Sequence, residues 1–221
     1  MPHLSLPAGT DVAEMALFDV DALPLSSAPN EPAIQALAES KHLIRLPTGA
    51  DGEYLLYMFV DEPIPEDLLR FCITDDKLTG TFNTTRGNVA FGGLESTFST
   101  FKPNPNIRSD ANINPGEYSY TAFHTDFPKE LVEEALRIEK TSGEHWLSRA
   151  PILLTLLTIA VGIMLSAFKQ FLIVGVVLLT GYIAIKWLCS TPAYQTLVAR
   201  RAEANLQFPS IVIEMQPKRF P

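Results

Sequence analysis

Cysteine is nearly absent from this chain of 221 residues: only Cys72 and Cys189 occur, one deep in a polar stretch and one beside a long apolar run. Two thiols so placed exclude a disulfide framework and point to a reducing compartment. Metal-site spacing is missing too. The four histidines, at 3, 42, 124 and 145, form no His-Glu-x-x-His, and the cysteines form no Cys-x-x-Cys. Residues 110–114, Asp-Ala-Asn-Ile-Asn, open like a calcium-binding EF-hand loop, but Pro115 stands where that loop needs glycine and Thr121 where it needs an acid. An Asx-rich turn is the reading that remains. Residues 87–93 carry three glycines in neither the Gly-x-Gly-x-x-Gly nor the P-loop pattern. No metal and no cofactor are therefore expected. The N-terminus lacks a basic stretch followed by a long apolar one, so no cleavable signal is expected.

Basic residues are scarce in the first two thirds of the chain. Residues 1–148 hold ten Lys plus Arg against twenty-three Asp plus Glu, a net −13, whereas residues 149–221 hold seven against two, a net +5. A segment at −13 is repelled by phosphate, which excludes nucleic acid as a ligand of that part. A solvated surface that keeps the acidic part soluble is the simpler reading of this charge; a protein partner, basic where it touches, is the ligand expected if the acidic part binds one.

Charge is almost wholly missing between residues 150 and 185, where Lys169 is the one ionisable side chain. Read as one helix these thirty-six residues would extend about 54 Å, against a hydrocarbon core of about 30 Å. Lys169-Gln170 is therefore predicted to be a turn between two transmembrane helices, about 150–168 and 171–189, the second reaching 189 if Lys186 lifts its ammonium to the interface. Trp146, Arg149, Lys169, Lys186 and Trp187 are the expected membrane-interface residues, as aromatic rings and long cations favour the headgroup region. Basic residues flank the outer ends of the pair (Arg137, Lys140, Arg149, Lys186, Arg200, Arg201), and Lys169 alone marks the turn. That asymmetry places both termini in the cytoplasm, with a bacterial inner membrane as the expected location. Pro151 is assigned to a first helical turn. Gly162, Ser166, Gly175 and Gly181 would let the two backbones approach. The spans hold no ionisable side chain away from their edges, so they read as an anchor in the lipid bilayer through 150–189 rather than as a pathway.

The remainder has the pattern of an α+β domain with an antiparallel sheet and flanking helices. Residues 1–30 are rich in Pro, Ala, Ser and Asp, and read as a loosely ordered arm touching the core at Leu17-Phe18 and Leu23. The acidic domain is assigned to 31–148, the hairpin to 149–189 and a cytoplasmic tail to 190–221. A helix is predicted over 31–40 and a strand over 42–46. Gly52-Glu53-Tyr54 and Gly116-Glu117-Tyr118 each open an aromatic extended run followed by a proline-initiated acidic helix start, which reads as a pseudo-repeat, with chance as the alternative. Strands are predicted at 78–82, 88–91 and 96–101, loop at 110–115, an amphipathic helix over 128–140, a helix over 191–206, and an edge strand at 211–215.

For catalysis only His124 and Asp126 stand out, two apart on one side of an extended segment, with Ser96, Thr97 and Cys72 as the nucleophiles that folding could bring near. A histidine satisfied at a strand end is the simpler reading. The sequence thus predicts a membrane-anchored, non-enzymatic protein whose acidic cytoplasmic domain is an interaction or sensing module. A bacterial immunity or inhibitor protein neutralising a toxin at the inner membrane is one specific form; a membrane-tethered enzyme with a site near His124 and Asp126 is the rival.

Overall fold

The computed structural model describes residues 3–23, 30–96, 107–139 and 141–218. The chain divides into two compact units: Met1–Phe127 together with Phe208–Pro221, and Pro128–Gln207.

The first unit is built from β1 (Leu4–Thr10), β2 (Glu14–Asp19), α1 (Glu31–Glu39), β3 (Leu43–Pro47), β4 (Gly52–Val60), α2 (Glu66–Leu69), β5 (Leu78–Thr84), β6 (Asn88–Gly93), β7 (Arg108–Asn112), β8 (Gly116–His124) and, from beyond the second unit, β9 (Ile211–Pro217). Five strands form one sheet in the order β1-β4-β9-β8-β5, and four form another in the order β3-β2-β6-β7. All pairs are antiparallel except β4 with β9. The inward faces of both sheets meet in one core: Leu6, Met15, Leu17, Ile44, Leu46, Leu56, Met58, Phe82, Phe91, Ile211, Ile213 and Met215 belong to a single buried cluster. Two sheets so packed make a sandwich. Its two outer faces are covered as well. Ile34 and Leu37 of α1 lie against Ala16, Phe18, Leu43 and Ala90, and Ile64 and Cys72 lie against Phe59 and Val212. Each fully buried Leu, Ile, Met or Phe contributes about 1.5–3 kcal/mol. The sandwich therefore draws its stability from both sides of β2 and β9.

The mixed α+β class and the flanking helices match the sequence reading; several local expectations do not. Residues 4–10 and 14–19, assigned to a loose arm, are strands, and Met15, Ala16, Leu17 and Phe18 have no exposed surface. Both faces of β2 are covered, so the alternation that advertises a half-buried strand is missing. Strand 211–217 is not at an edge: it lies between β4 and β8. Val212 faces one apolar layer while Ile211, Ile213 and Met215 face the other, as a central strand requires. Residues 108–112 pair with β6 instead of forming only a loop. They are polar because they form a sheet edge, where charge is tolerated and useful. The predicted strand at 96–101 falls mostly outside the described residues; Ser96 closes a 3-10 turn, Leu94–Ser96. The two Gly-Glu-Tyr runs both become strands, β4 and β8, on either side of β9, each followed by a helix.

One polar group fixes three segments of the sandwich. The Asp19 carboxylate is fully buried. It accepts from the Thr85 amide at 2.9 Å and hydroxyl at 2.7 Å, and from the Asp21 amide at 3.2 Å, and His42 Nδ1 lies 3.0 Å away. A buried carboxylate is tolerated only with such a full set of partners.

The second unit holds α3 (Lys129–Ala135), α4 (Ser142–Ala167), α5 (Phe171–Cys189) and α6 (Pro192–Asn205). The helix predicted over 128–140 is shorter, and none of its side chains is buried. Helix α4 begins well before the apolar run, capped by Thr141, whose hydroxyl accepts from the Glu144 amide. Pro151 accordingly lies inside the helix and not in its first turn. Between α4 and α5 the chain reverses at Lys169, whose φ is +59°. The Gln170 amide bonds the Leu165 carbonyl and the Lys169 amide the Ser166 carbonyl, the paired closure of a Schellman motif. Close approach of α4 and α5 is greatest at Gly181, where a Cβ would fall 2.5 Å from the Thr158 side chain; at Gly162 it would meet Leu178 at an ordinary 3.7 Å. Arg200 of α6 donates to the Ile138 carbonyl and to Glu144, and Arg201 donates to Glu139.

Two stability predictions follow from these contacts. Asp19→Ala deprives the Thr85 amide and hydroxyl and the His42 ring of their buried acceptor and should lower the unfolding free energy by about 2 kcal/mol, read from denaturant titration of the purified chain by near-ultraviolet circular dichroism. Gly181→Val should lower the thermal midpoint, at an overpacking cost of about 1–3 kcal/mol, while Gly162→Ala leaves it unchanged; differential scanning fluorimetry separates the two.

Candidate functional site

Helices α4 and α5 are long and apolar enough to cross a membrane. They are also unsheathed: α5 buries none of its residues, and Leu172 and Ile163 are 83% and 67% exposed. Within the apolar stretches of the two helices, the Ser and Thr hydroxyls turn inward on their own helices. Thr155 donates to the Pro151 carbonyl, Thr158 to Leu154, Ser166 to Gly162 and Thr180 to Val176. Every one of these polar groups is thereby satisfied within its own helix, the condition for facing hydrocarbon. At about 1.5 Å per residue, the nineteen residues of α5 extend about 28 Å, close to the thickness of a hydrocarbon core.

The five interface residues of the sequence reading lie at the ends of these helices. Trp146 and Arg149 are exposed on α4 just before the apolar stretch, and Lys186 and Trp187 are exposed in the last turn of α5. Lys186 also sits 5.9 Å from the centre of the Tyr182 ring, so its stem runs back along the helix. Lys169 occupies the turn. Arg200 and Arg201, counted among the flanking charges, pair with Glu144 and Glu139.

The sandwich unit holds nineteen acidic and nine basic residues, a net −10. Four of its nine cations are paired with acids: Arg45 bridges Glu14 and Glu31, Arg108 is forked onto Asp110, and Lys41 and Lys218 both sit on Glu117. The Lys218 ammonium, aided by Lys41, holds the Glu117 carboxyl below its ordinary range. Exposed acids such as Asp75, Asp76, Glu66 and Asp67 have no such counter-ions among the described contacts.

His124 ends β8 and Asp126 lies two residues beyond it, and no hydrogen bond joins their side chains among the described residues. Asp126 donates its amide to the Phe71 carbonyl. His124 lines a cavity of about 330 Å³ with Pro47, Asp75, Asp76, Lys77 and Leu78, and its Nε2 is buried without a hydrogen-bond partner. Cys72 faces the apolar layer of the outer sheet face, donates to the Leu68 carbonyl at 3.6 Å, and burial pushes its thiol up from the ordinary range. That is the reverse of an activated nucleophile. Ser96 and Thr97, the other nucleophiles considered, have side chains outside the described set. Sequence reasoning missed the His42–Asp19 pair, since the partners lie twenty-three positions apart. It also missed the acids that surround His124, which come from the turn before β5. A His next to a buried Asp is a signal only after folding.

No family model matches this chain, and no curated protein does. Among solved structures, one described as Crocagin biosynthetic gene J is similar at 14% identity and a TM-score of 0.38, over 56% of this chain and 75% of that one. A second, ComJ from Bacillus subtilis, described as an inhibitor of the DNA-degrading activity of NucA, is similar at 11% identity and a TM-score of 0.33, over 57% and 82% of the two chains.

Proposed function

We propose that this chain is a membrane-anchored binding protein: α4 and α5 hold it in a bilayer as a hairpin, and the acidic sandwich engages a protein partner in the adjoining water. The observation that carries the reading is the nakedness of α5, a helix of nineteen residues with no buried side chain and apolar on all sides. Left in water, each of its large side chains forgoes about 1.5–3 kcal/mol of burial. Only lipid, or other apolar surface, removes that penalty.

The connectivity supports an even number of crossings. Strands β8 and β9 enter and leave the second unit and are neighbours in one sheet, paired from Tyr118 with Pro217 to His124 with Ile211. Both ends of the hairpin must therefore emerge on the same side of the bilayer. The flanking cations Arg149 and Lys186, against Lys169 alone at the turn, favour the cytoplasmic side for the sandwich. Self-satisfied Ser and Thr hydroxyls and the lack of charged side chains within the spans away from their edges favour an anchor over a conduit.

A net −10 on the sandwich, with four of its nine cations already paired, favours a basic partner and disfavours nucleic acid. An immunity or inhibitor role, in which the acidic surface covers a basic toxin at a bacterial inner membrane, is the specific form this charge supports best. Anchoring raises the effective concentration of the sandwich near such a partner without new contacts.

The full chain should sediment with membranes, resist alkaline carbonate and be released by detergent, and reporters active only in the cytoplasm should work at both termini. Recovery of the chain as a soluble monomer without detergent would refute the anchor. Chemical crosslinking in native membranes should join it to a second protein; a chain that crosslinks to nothing there would refute the binding role.

A further inference from the structure

The sandwich has four edge strands, and three are defended. β1 carries Pro7 and is covered by Ser109, whose hydroxyl donates to the Pro7 carbonyl. β3 carries Arg45 and Pro47, and β7 carries Arg108 and Asp110. Charge and proline are the usual guards of an edge, since an open row of amides and carbonyls recruits another strand. The fourth, β5, is Leu-Thr-Gly-Thr-Phe-Asn-Thr, with no charge and no proline.

Its outer side is open over part of its length. The Asn83 amide points away from β8 and donates to the Lys41 carbonyl at 2.7 Å. Successive residues of a strand alternate, so the amides and carbonyls of Thr79 and Thr81 face the same outer side. Among the described residues no strand pairs with that side, and Thr79 and Gly80 are exposed. Gly80 is sheltered on the inner face by the Tyr120 ring, which a Cβ there would touch at 2.9 Å. At the end of the open stretch lies the cavity lined by Asp75, Asp76 and His124. Its lone cation, Lys77, is turned over the Phe123 ring at 5.9 Å. His124 Nε2 there lacks a partner, as does the buried Oδ1 of Asn83 on β5 itself.

We infer that the open edge of β5 is a docking site for an extended, basic segment of a protein partner, which adds a strand beside Thr79 and Thr81 and places a Lys or Arg side chain in the cavity of Asp75, Asp76 and His124. Main-chain bonds supply affinity and the acidic cavity supplies the choice of partner. Charge complementarity selects this occupant: Asp75 and Asp76 call for a cation, and the β5 strand of a second copy, Leu78–Thr84, carries no Lys or Arg to supply it. The inference rests on the proposed binding role and narrows it to one edge.

The test uses the full chain in detergent and, as probe, a short fluorescent peptide of alternating Thr and Val ending in Lys-Arg. Expected results are saturable anisotropy, slowed amide exchange at Thr79 and Thr81, and about tenfold weaker binding for Thr79→Pro, for Asp75→Asn with Asp76→Asn, and for a peptide ending in Glu-Glu. Thr79→Pro leaves the β8 ladder intact because the amide it removes faces outward, and the Asn pair guards against a folding artefact. A peptide that fails to bind, or binds all variants alike, overturns the inference, as does chain dimerisation through β5 in its place. Crosslinking in native membranes separates the two levels: a partner captured equally by wild type and Thr79→Pro sinks the edge while sparing the binding role.

Discussion

The pairing of β8 with β9 governs this molecule. Tyr118 to His124 lie against Ile211 to Pro217, yet the chain between them makes the whole second unit. The exit and re-entry points are held together within the sandwich: Phe127 stacks on Phe71 and meets Phe208 edge-on at 5.2 Å, and the Thr125 amide bonds the Ser210 carbonyl. The helical unit is thus an insertion between two neighbouring strands. A tail that merely followed the membrane segment would place no demand on its topology, but a central strand does.

That constraint orders folding. β9 supplies Ile211, Val212, Ile213 and Met215, none with exposed surface, to two apolar layers at once. Until it arrives, β4 and β8 have no common neighbour and the five-stranded sheet is split. In synthesis the hairpin emerges before β9, so the sandwich closes only after the apolar helices have found their surroundings. Such non-local closure is slow and leaves strand edges open meanwhile. The charged and proline-bearing edges at β1, β3 and β7 limit that hazard.

How far all this was legible in the residues depends on whether the signal was local. The hairpin was, because a charge-free run too long for one crossing of a hydrocarbon core is broken at Lys169-Gln170, and the φ of Lys169 is where the reversal falls. The aromatic strands β4 and β8 were legible from Gly-Glu-Tyr openings, and β9 from its apolar run. Its central place was not read, though apolar residues on both faces carried the clue. β2 was hidden for the same reason: Met15 to Phe18 are apolar on both sides, so no alternation marks them. β7 was hidden by its charges, which suit an edge and resemble a loop. For the site, His124 could be picked out as an unusual residue at a strand end, but its cavity mates Asp75 and Asp76 lie nearly fifty positions earlier, and the openness of β5 is a property of sheet order that no segment announces.

An open edge at β5 among the described strands also raises the question of why it is tolerated. A free strand edge in a concentrated solution invites pairing among copies, and the cost of blunting it is small: one Lys in place of Thr79 would suffice. Here the strand's own composition serves that end in part: β5 carries no Lys or Arg, so a second copy laid against it brings no cation of that strand to Asp75 and Asp76. A basic strand does. Affinity for the proposed partner is thereby raised over affinity for a copy, and under the proposed anchoring the search is confined to whatever shares the surface.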